Sequence, residues 1–469
     1  MNRLAVVIGG SIAGLVTARI LADHFNRVTI VERDALPESP EPRAGIPQAH
    51  HVHVLLERGQ QIAEQLFPGL QNELAQAGAP RIDWLNDVRW MSFNRWGPRF
   101  PSNLVTQFAT RGLLEYSIRR RLSAFPQIQF IVKSDVVDLL ADESRTRITG
   151  VRLHHRDDGS TQDFAERADL IVDASGRDSK TPEWLSELGY ERPIETCVNS
   201  FLGYASRLYR RSQNSSLDWK GILIRATPPQ SSRGAVLLPV EGERWMATLG
   251  AGGKDYPPTD EVGWLEFARS LPTPIVYDTL KSAEPLSPIH GYRRTENRWR
   301  RYERLERLPE NFVVLGDAVC AFNPVYGQGM TVAVMGAHAL DECLRKQHGE
   351  LTGLARRFQR ELARLNQTPW LMATSADFQY PETEGERPGS QTRWVHAYMF
   401  QVGWLTMEDH FTHQTFVEVA HLVKPPSALF DPRIAARVFA RWRRAGSNHD
   451  ARDSVAITQP DVQQFKRYR

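Results

Sequence analysis

The feature that most constrains the fold of this chain is a strand, a glycine-rich turn, a helix and a second strand within its first 32 residues. Residues 4–8 are a short, wholly apolar run, which is typical of a parallel strand buried on both faces. The hexapeptide Gly9 to Gly14 follows, and residues 12–23 carry apolar side chains at helical spacing. A second apolar run covers residues 28–31. Together these segments predict a βαβ unit, and therefore an α/β domain at the start of the chain.

The glycine-rich turn predicts a binding site for a dinucleotide. Gly9 permits a tight turn, and Gly14 lets the helix pack close to the strand. The start of the helix offers free N–H groups and a partial positive charge to a pyrophosphate. Ser11 takes the place of the middle glycine of the usual fingerprint, and Glu32 ends the second strand, where an acidic side chain binds ribose hydroxyls. The predicted contacts are Gly9, Ser11, Ala13, Gly14, Glu32 and Arg33.

Charge and cysteine placement argue against several classes of protein. The 58 basic and 55 acidic residues nearly cancel, whereas a nucleic-acid-binding protein usually has a basic stripe. Cys197, Cys320 and Cys343 form no CxxC pair, which disfavours a disulfide framework or a zinc site and fits a cytoplasmic protein. We expect all three cysteines to be small buried side chains. The apolar segment 4–22 is interrupted by glycines, so we interpret it as strand, turn and helix rather than as a membrane anchor.

The distribution of apolar and polar residues along the chain predicts a Rossmann-like domain with an inserted antiparallel sheet and a helical C-terminal region. Buried-strand runs occur in residues 1–180 and return in 309–345, which we assign to the two parts of one nucleotide-binding domain. Residues 181–308 alternate apolar and polar side chains between Gly/Pro turns, and we assign them to a substrate domain. The pattern of residues 346–469 predicts a mostly helical region. The basic amphipathic helix predicted at 434–444 is interpreted as a surface helix rather than as a membrane contact.

Two later motifs distinguish between dinucleotides. Residues 172–177 (Val-Asp-Ala-Ser-Gly-Arg) and 314–318 (Val-Leu-Gly-Asp-Ala) each follow a buried strand, and the second continues through 322–330 into a helix. In this order, after a glycine-rich start, they resemble the p-hydroxybenzoate-hydroxylase-like flavoproteins, which implies FAD as the cofactor. The resemblance implies that Asp317 binds the ribityl chain, that Asp173 supports the adjoining loop and the approach of nicotinamide, and that Arg111 reaches FAD. The further contacts implied in the 322–330 segment are Pro324, Gly327, Gly329 and Met330.

The loop from Arg43 to His53 carries three histidines, at positions 50, 51 and 53. We do not predict a metal site, because no carboxylate stands at a useful spacing. The resemblance implies instead that the loop passes over the flavin, with Arg43 and one histidine contacting the cofactor; a purely structural loop is the alternative. The sequence does not identify which histidine that is. Chemistry is expected to centre on the flavin, with His53 and Tyr326 as candidate catalytic side chains.

Within this superfamily the chain is most similar to the flavin epoxidases of polyether antibiotic biosynthesis, of the monensin and lasalocid type. This similarity implies oxygen transfer from a flavin C4a-hydroperoxide to an alkene, in secondary metabolism. Its partners would be O2, an apolar small molecule, and NAD(P)H acting directly or through a separate flavin reductase, since no second dinucleotide fingerprint is present. The segments that carry the similarity are 43–53, 173–184, 283–286, 304–306, 322–330 and 369–370.

Aromatic side chains near the start of the C-terminal region predict an apolar substrate pocket. Trp370, Phe378 and Tyr380 lie within eleven residues, and a monooxygenase needs an apolar wall that shields its flavin from water. Core packing is the alternative for these aromatics. Aromatic hydroxylation, reduction or desaturation of a prenyl-type substrate, and a flavin-bound protein without turnover also remain open. The Gly-Trp-x-Trp-x-Ile-Pro motif expected of a flavin halogenase is absent from the sequence.

Overall fold

The computed structural model describes residues 2–164, 167–211, 217–228, 230–387 and 389–447. In chain order, the strands within these ranges are β1 (Leu4–Ile8), β2 (Arg27–Val31), β3 (Arg81–Asp83), β4 (Val88–Ser92), β5 (Arg95–Trp96), β6 (Val105–Gln107), β7 (Ile128–Ile131), β8 (Ser134–Ala141), β9 (Ile148–His155), β10 (Thr161–Phe164), β11 (Leu170–Asp173), β12 (Glu195–Val198), β13 (Gly203–Arg210), β14 (Gly221–Ile224), β15 (Arg233–Val240), β16 (Arg244–Ala251), β17 (His290–Tyr292), β18 (Asn297–Arg300), β19 (Phe312–Val314) and β20 (Cys320–Ala321).

The α-helices of the same ranges are α1 (Ile12–Leu21), α2 (Glu57–Leu66), α3 (Leu70–Gln76), α4 (Arg111–Leu122), α5 (Thr181–Glu187), α6 (Glu261–Arg269), α7 (Ile275–Leu280), α8 (Gly329–Lys346), α9 (Leu354–Asp377), α10 (Ser390–Leu405), α11 (His410–Ala420) and α12 (Pro432–Ser447). Short 3-10 turns include Gly316–Ala318 and Pro324–Tyr326. None of the helices in the described ranges is long and apolar enough to cross a membrane.

The N-terminal βαβ unit is the centre of a five-stranded parallel sheet, in the order β19-β11-β1-β2-β7. Its three central strands, β11, β1 and β2, are almost wholly buried, because helices cover one face and strands β8 and β9 pack on the other. α1 and α8 pack together against it, and α9 packs on α8. In such sheets ligands bind beyond the carboxyl ends of the strands, near the point where the strand order reverses. Here β1 lies between β11 and β2, so that point falls at the glycine turn after Ile8.

A second sheet of seven strands, in the order β17-β13-β16-β15-β14-β4-β5, has two differently covered faces. Leu237 packs with α6 and α7 on one face, whereas its neighbour Leu238 packs on the other with Trp84, Phe108 and Val417. The alternation follows from the two-residue period of a strand. The second face, which we call the inner face, is turned towards residues 52–56 and α11.

The structure confirms the mixed α/β fold with an FAD-type domain, sheets and C-terminal helices. β4 and β5 come from the segment assigned to the nucleotide-binding domain, yet β4 pairs in parallel with β14 in the large sheet. The sequence did not show this crossing, because two short strands separated by some 130 residues leave no local pattern. The expectation of three buried cysteines is wrong for Cys197, which is exposed, while Cys320 and Cys343 are buried.

Candidate cofactor and substrate site

The glycine turn between β1 and α1 needs its glycines for steric reasons. Gly9 has a φ of +101°, in the left-handed region, and a Cβ on it would lie 2.7 Å from the carbonyl oxygen of Ala174. A Cβ on Gly14 would lie 1.8 Å from the carbonyl oxygen of Gly9, so any other residue would push α1 away from β1. Ser11 precedes α1, and its side chain accepts no capping hydrogen bond from the helix. The first N–H groups of α1 are therefore available to an anion.

Glu32 lies directly beside this turn and is almost fully buried. Its Oε2 accepts a hydrogen bond of 2.7 Å from the Gly10 N–H, and its Oε1 accepts one of 2.9 Å from the Asp34 N–H. Nη1 of Arg43 lies 3.0 Å from Oε1 of Glu32 and 2.7 Å from Oδ2 of Asp34. Glu32 therefore lies at the end of β2, where the sequence predicts an acid that binds ribose hydroxyls. Arg43 anchors the 43–53 loop to this acid.

Arg43 and Arg111 converge on Glu115, which the sequence analysis missed. Nε of Arg43 lies 2.8 Å from Oε1 of Glu115, and Nη2 of Arg111 donates to Oγ of Ser11 at 2.6 Å. Oγ of Ser11 in turn donates to Oε2 of Glu115 at 2.9 Å. Burial lowers the pKa of Arg43, but Glu115 and Glu32 outweigh it and raise that pKa above its ordinary value. The spacing of four residues between Arg111 and Glu115 on α4 is the one signal that could have found this acid.

Asp317 lies beside the start of α8, where a Cβ on Gly329 would be 3.7 Å from its Oδ1. Burial raises the pKa of Asp317, although Arg177 and Arg111 act in the opposite direction. Its carboxylate makes no hydrogen bond to any described residue. Oε1 of Gln328 at the start of α8 is buried without a partner in the same ranges. A Cβ on Gly327 would meet nothing within 4 Å.

These observations fit FAD. A polar ligand would satisfy Asp317 and Gln328, while the free starts of α1 and α8 suit a pyrophosphate and an electron-rich ring edge. Pro324 and Met330 belong to the same turn and helix start. Residues that would hold FAD are Gly9, Ser11, Ala13, Gly14, Glu32, Arg43, Arg111 and Asp317. Arg33 donates to the carbonyl oxygen of Gly45 at 3.2 Å and is bound in this way to the loop.

Asp173 differs from these residues because its own loop uses its carboxylate. It is fully buried, its Oδ1 accepts from the Ser175 N–H at 2.8 Å, and its Oδ2 accepts from the hydroxyls of Ser179 and Thr181 at 2.5 Å each. This is the loop-supporting role implied at the sequence level. Direct contact of Asp173 with a cofactor stays a prediction.

The three histidines of the 43–53 loop have separate surroundings. His50 stacks on His290 with ring centroids 4.0 Å apart, and Nδ1 of His51 lies 2.8 Å from Oγ of Ser206 on the inner face. Nδ1 of His53 lies 3.0 Å from the carbonyl oxygen of His51, so that nitrogen carries a hydrogen and Nε2 is the free acceptor. Burial, helped by Arg111, lowers the pKa of His53 to about 3. In the described part of the chain no group of acids, cysteines and histidines is arranged to hold a metal ion.

A buried network joins residues 323–328 before α8, which we call the flavin-side loop, to the end of α9. Oη of Tyr326 donates to Oδ1 of Asp377 at 2.6 Å, and Nδ2 of Asn297 donates to Oδ2 at 2.5 Å. Nδ2 of Asn323 donates to Oδ1 of the same acid at 3.2 Å. Burial is the main cause that raises the pKa of Asp377 to about 6. Asp377 was missed at the sequence level because its partners are 51 to 80 residues away.

The predicted pocket aromatics do not lie together. The ring of Trp370 packs 5.4 Å from Trp299 against the core of the FAD-type domain. Tyr380 is buried and packs on Gly252 at the end of β16, so it lies between the large sheet and α9. Phe378 is half-buried at the end of α9. Substrate contact by Trp370, Phe378 and Tyr380 stays a prediction, and the position of Tyr380 suits it better than that of Trp370.

Comparison with known proteins identifies the family. Residues 4–353 match the FAD binding domain family. The chain belongs to that family. It is 34% identical over 391 residues to Protein Rv3254 of Mycobacterium tuberculosis, over 81% of each chain. Its fold is similar to the flavin-dependent brominase Bmp2, with a TM-score of 0.63 and 14% identity over 94% of this chain and 98% of that one.

The fold is also similar to PqsL of Pseudomonas aeruginosa, described as a probable FAD-dependent monooxygenase, with a TM-score of 0.59 and 17% identity over 81% of this chain and 96% of that one. At such identities a structure shows the fold alone. The matched family and the flavin-enzyme fold make this protein an FAD-dependent oxidoreductase. They do not distinguish the polyether-epoxidase subtype among the flavin enzymes of this fold.

Proposed function

We propose that this enzyme is a monooxygenase that transfers one oxygen atom from O2 to a largely apolar alkene and forms an epoxide, as a step of secondary metabolism. The other oxygen atom leaves as water, and NAD(P)H supplies the two electrons. Bound FAD supplies the activation of O2 by those electrons. The protein's own part is to hold the substrate, exclude water and keep protons in place.

The observation that carries this proposal is the apolar character of the inner face. Leu238 packs there with Trp84, Trp90 and Phe108, and Phe416 of α11 packs against the same cluster. The cluster reaches Arg225, whose guanidinium carbon lies 5.2 Å from the Phe416 ring centroid. A water-poor wall of this kind suits an apolar substrate and protects a reactive oxygen donor.

The ionisable groups nearby also favour an alkene over a phenol. Hydroxylation of a phenol gains from a base whose pKa is near the working pH. His53 has a pKa lowered by burial to about 3, which makes it a weak base. Asp377 has a pKa of about 6, but Tyr326 and two asparagines already occupy its oxygens. Epoxidation needs no such base, so this set of residues suits it.

The test is product analysis with labelled oxygen. FAD-loaded enzyme and NAD(P)H, with and without a flavin reductase, are incubated under labelled O2 with farnesol, methyl farnesoate or 4-hydroxybenzoate. We expect a labelled epoxide of the alkenes, and turnover without added reductase would show direct use of NAD(P)H. Asp317→Ala should lose product together with FAD, and Asp278→Ala, on the exposed face of α7, should match the wild type.

Three outcomes would contradict the proposal. Labelled product from 4-hydroxybenzoate alone would make the enzyme an aromatic hydroxylase. Loss or gain of hydrogen by the alkenes without labelled oxygen would make it a reductase or desaturase. A brominated product that forms only when bromide is added would place it with the halogenases of similar fold.

A further inference from the structure

Arg225 places a largely buried positive charge on the inner face, close to the flavin-side loop. It directly follows β14, and its N–H donates to the carbonyl oxygen of Met91 on β4 at 2.9 Å. Ile222 and Ile224 pack on the α6–α7 face, whereas Leu223 packs on the inner face. The two-residue period therefore puts the Arg225 side chain on the inner face, in agreement with its position over Phe416.

Within the described ranges, the guanidinium of Arg225 makes no hydrogen bond and no ion pair. The groups that interact with its charge are the phenols of Tyr326 and Tyr380 and the imidazole of His413, and no carboxylate is among them. Both phenols are neutral, because burial raises their pKa values above the ordinary one. Burial also lowers the pKa of Arg225 itself. The other buried arginines of the site, Arg43 and Arg111, have Glu115 as a partner.

The side chain of Arg225 is largely buried but keeps some accessible surface, so a ligand can reach it. The phenols of Tyr326, on the flavin-side loop, and of Tyr380, just after α9, are close enough to act on its charge. Trp90, which pairs in register with Leu223 on the inner face, has a buried indole Nε1 without a partner among the described residues. The Arg225 guanidinium and the Trp90 indole N–H, neither of which has a partner among the described residues, thus lie on the same apolar inner face.

A buried guanidinium without a counterion is unfavourable, because the charge loses its hydration and gains nothing in return. A ligand carboxylate removes that penalty, and the planar fork of arginine matches a carboxylate in two parallel hydrogen bonds. We propose that Arg225 binds the carboxylate of the substrate, which is an unsaturated apolar chain with one acidic end. The part about the chain rests on the proposed function, whereas the part about the carboxylate does not.

The experiment compares three ligands that share one chain. Farnesoic acid, farnesol and methyl farnesoate are titrated into the FAD-loaded enzyme, and dissociation constants come from calorimetry and from the change in flavin absorbance. We expect the acid to bind the wild type about tenfold more tightly than the alcohol or the ester, as a hydrogen-bonded charge pair implies. In Arg225→Met that preference should vanish, with the alcohol within about twofold of its wild-type affinity.

Three further variants keep the result interpretable. Arg225→Lys should retain part of the preference for the acid, and Arg225→Gln should lose it. A greater preference for the acid in the lysine variant than in the glutamine variant therefore supports the proposal even if Arg225→Met loses FAD. Arg210→Met is the matched control, because Arg210 lies on β13 of the same sheet with its side chain 58% exposed and paired with Glu284. It should bind all three ligands as the wild type does.

Additional ligands separate this proposal from the proposed function. Binding of 4-hydroxybenzoate alone, lost in Arg225→Met, would keep the carboxylate site and overturn the apolar chain. Equal affinity for acid and alcohol, an undiminished preference in Arg225→Met, or Arg225-dependent binding of bromide alone would overturn the carboxylate site. Failure of every carboxylate to bind the wild type would also overturn it.

Discussion

Oη of Tyr326 donates a hydrogen bond of 2.6 Å to Oδ1 of Asp377, and this bond ties the flavin-side loop to the last turn of α9. Asp377 is fully buried, and Asn297 and Asn323 donate to the same carboxylate. The loop that begins α8 is therefore held by a side chain from the C-terminal region. Residues outside the matched family region 4–353 thus help to shape the site.

Asp377 should give the stability of the protein a particular dependence on pH. Its pKa is raised on folding from 3.8 to about 6, mainly by burial. An acid of this kind stabilises the fold fully below 3.8, and the stabilisation is lost as the pH rises through about 6. We expect the free energy of unfolding to fall by roughly 3 kcal/mol over this window relative to Asp377→Asn. Urea unfolding at several pH values measures this free energy for both proteins. The same dependence of the unfolding free energy on pH in the wild type and in Asp377→Asn would contradict the prediction.

Glu32→Ala and Asp317→Ala should each weaken FAD binding. Each acid is placed to accept charge-assisted hydrogen bonds from ligand hydroxyls, worth about 1.5–3 kcal/mol each, which is roughly tenfold to hundredfold in the dissociation constant. Asp317→Ala is the cleaner test, because Glu32 also accepts from Gly10 and pairs with Arg43. Fluorescence titration of the apoprotein with FAD gives the constants. Wild-type affinity in both variants would mean that FAD binds elsewhere.

Arg43→Met should destabilise the protein far more than Arg95→Met. Arg43 has a side chain that is 7% exposed, and its removal leaves Glu115, Glu32 and Asp34 buried without that partner, at a cost of about 3–5 kcal/mol. Arg95 pairs with Glu408 at the surface, and such pairs contribute at most about 1 kcal/mol. Urea unfolding compares the two variants. Similar losses in both would show that the Arg43 cluster is not a buried network in solution.

Trp370→Ala and Phe416→Ala should have different effects. Trp370 packs on Trp299 against the core, so its truncation should lower the free energy of unfolding by about 3 kcal/mol and raise KM for an apolar alkene less than Phe416→Ala does. Phe416 lies on the inner face beside Arg225, so its truncation should raise KM about tenfold. The reverse pattern in steady-state kinetics would favour a pocket lined by Trp370.

The sequence predicts well what is local. The βαβ unit, the position of Glu32 after β2 and the start of α1 at Ile12 all agree with the structure, because each depends on periodicity or on a turn within a few residues. The helix predicted at 434–444 is part of the longer α12. Short-range patterns of this kind need no tertiary information.

The sequence does not predict what folding brings together. Glu115 comes from α4 to meet the 43–53 loop, and Asp377 comes from α9 to meet Tyr326, over separations that carry no pattern in a single sequence. Trp370 lies in an aromatic cluster along the chain, yet the turn of α9 directs it to Trp299. That Arg225 has no ionic partner among the described residues depends on which groups fold around it, and composition does not contain that information.

A single-turnover experiment tests the central claim most directly. Enzyme with one reduced FAD is prepared without oxygen, mixed with O2 and an excess of farnesoic acid, and quenched, and epoxide and hydrogen peroxide are counted per flavin. The account predicts close to one epoxide per flavin and little peroxide, because the site excludes water and holds the alkene beside the flavin. Complete reoxidation of the flavin with peroxide as the sole oxygen product, and no modification of farnesoic acid, methyl farnesoate or farnesol, would contradict it.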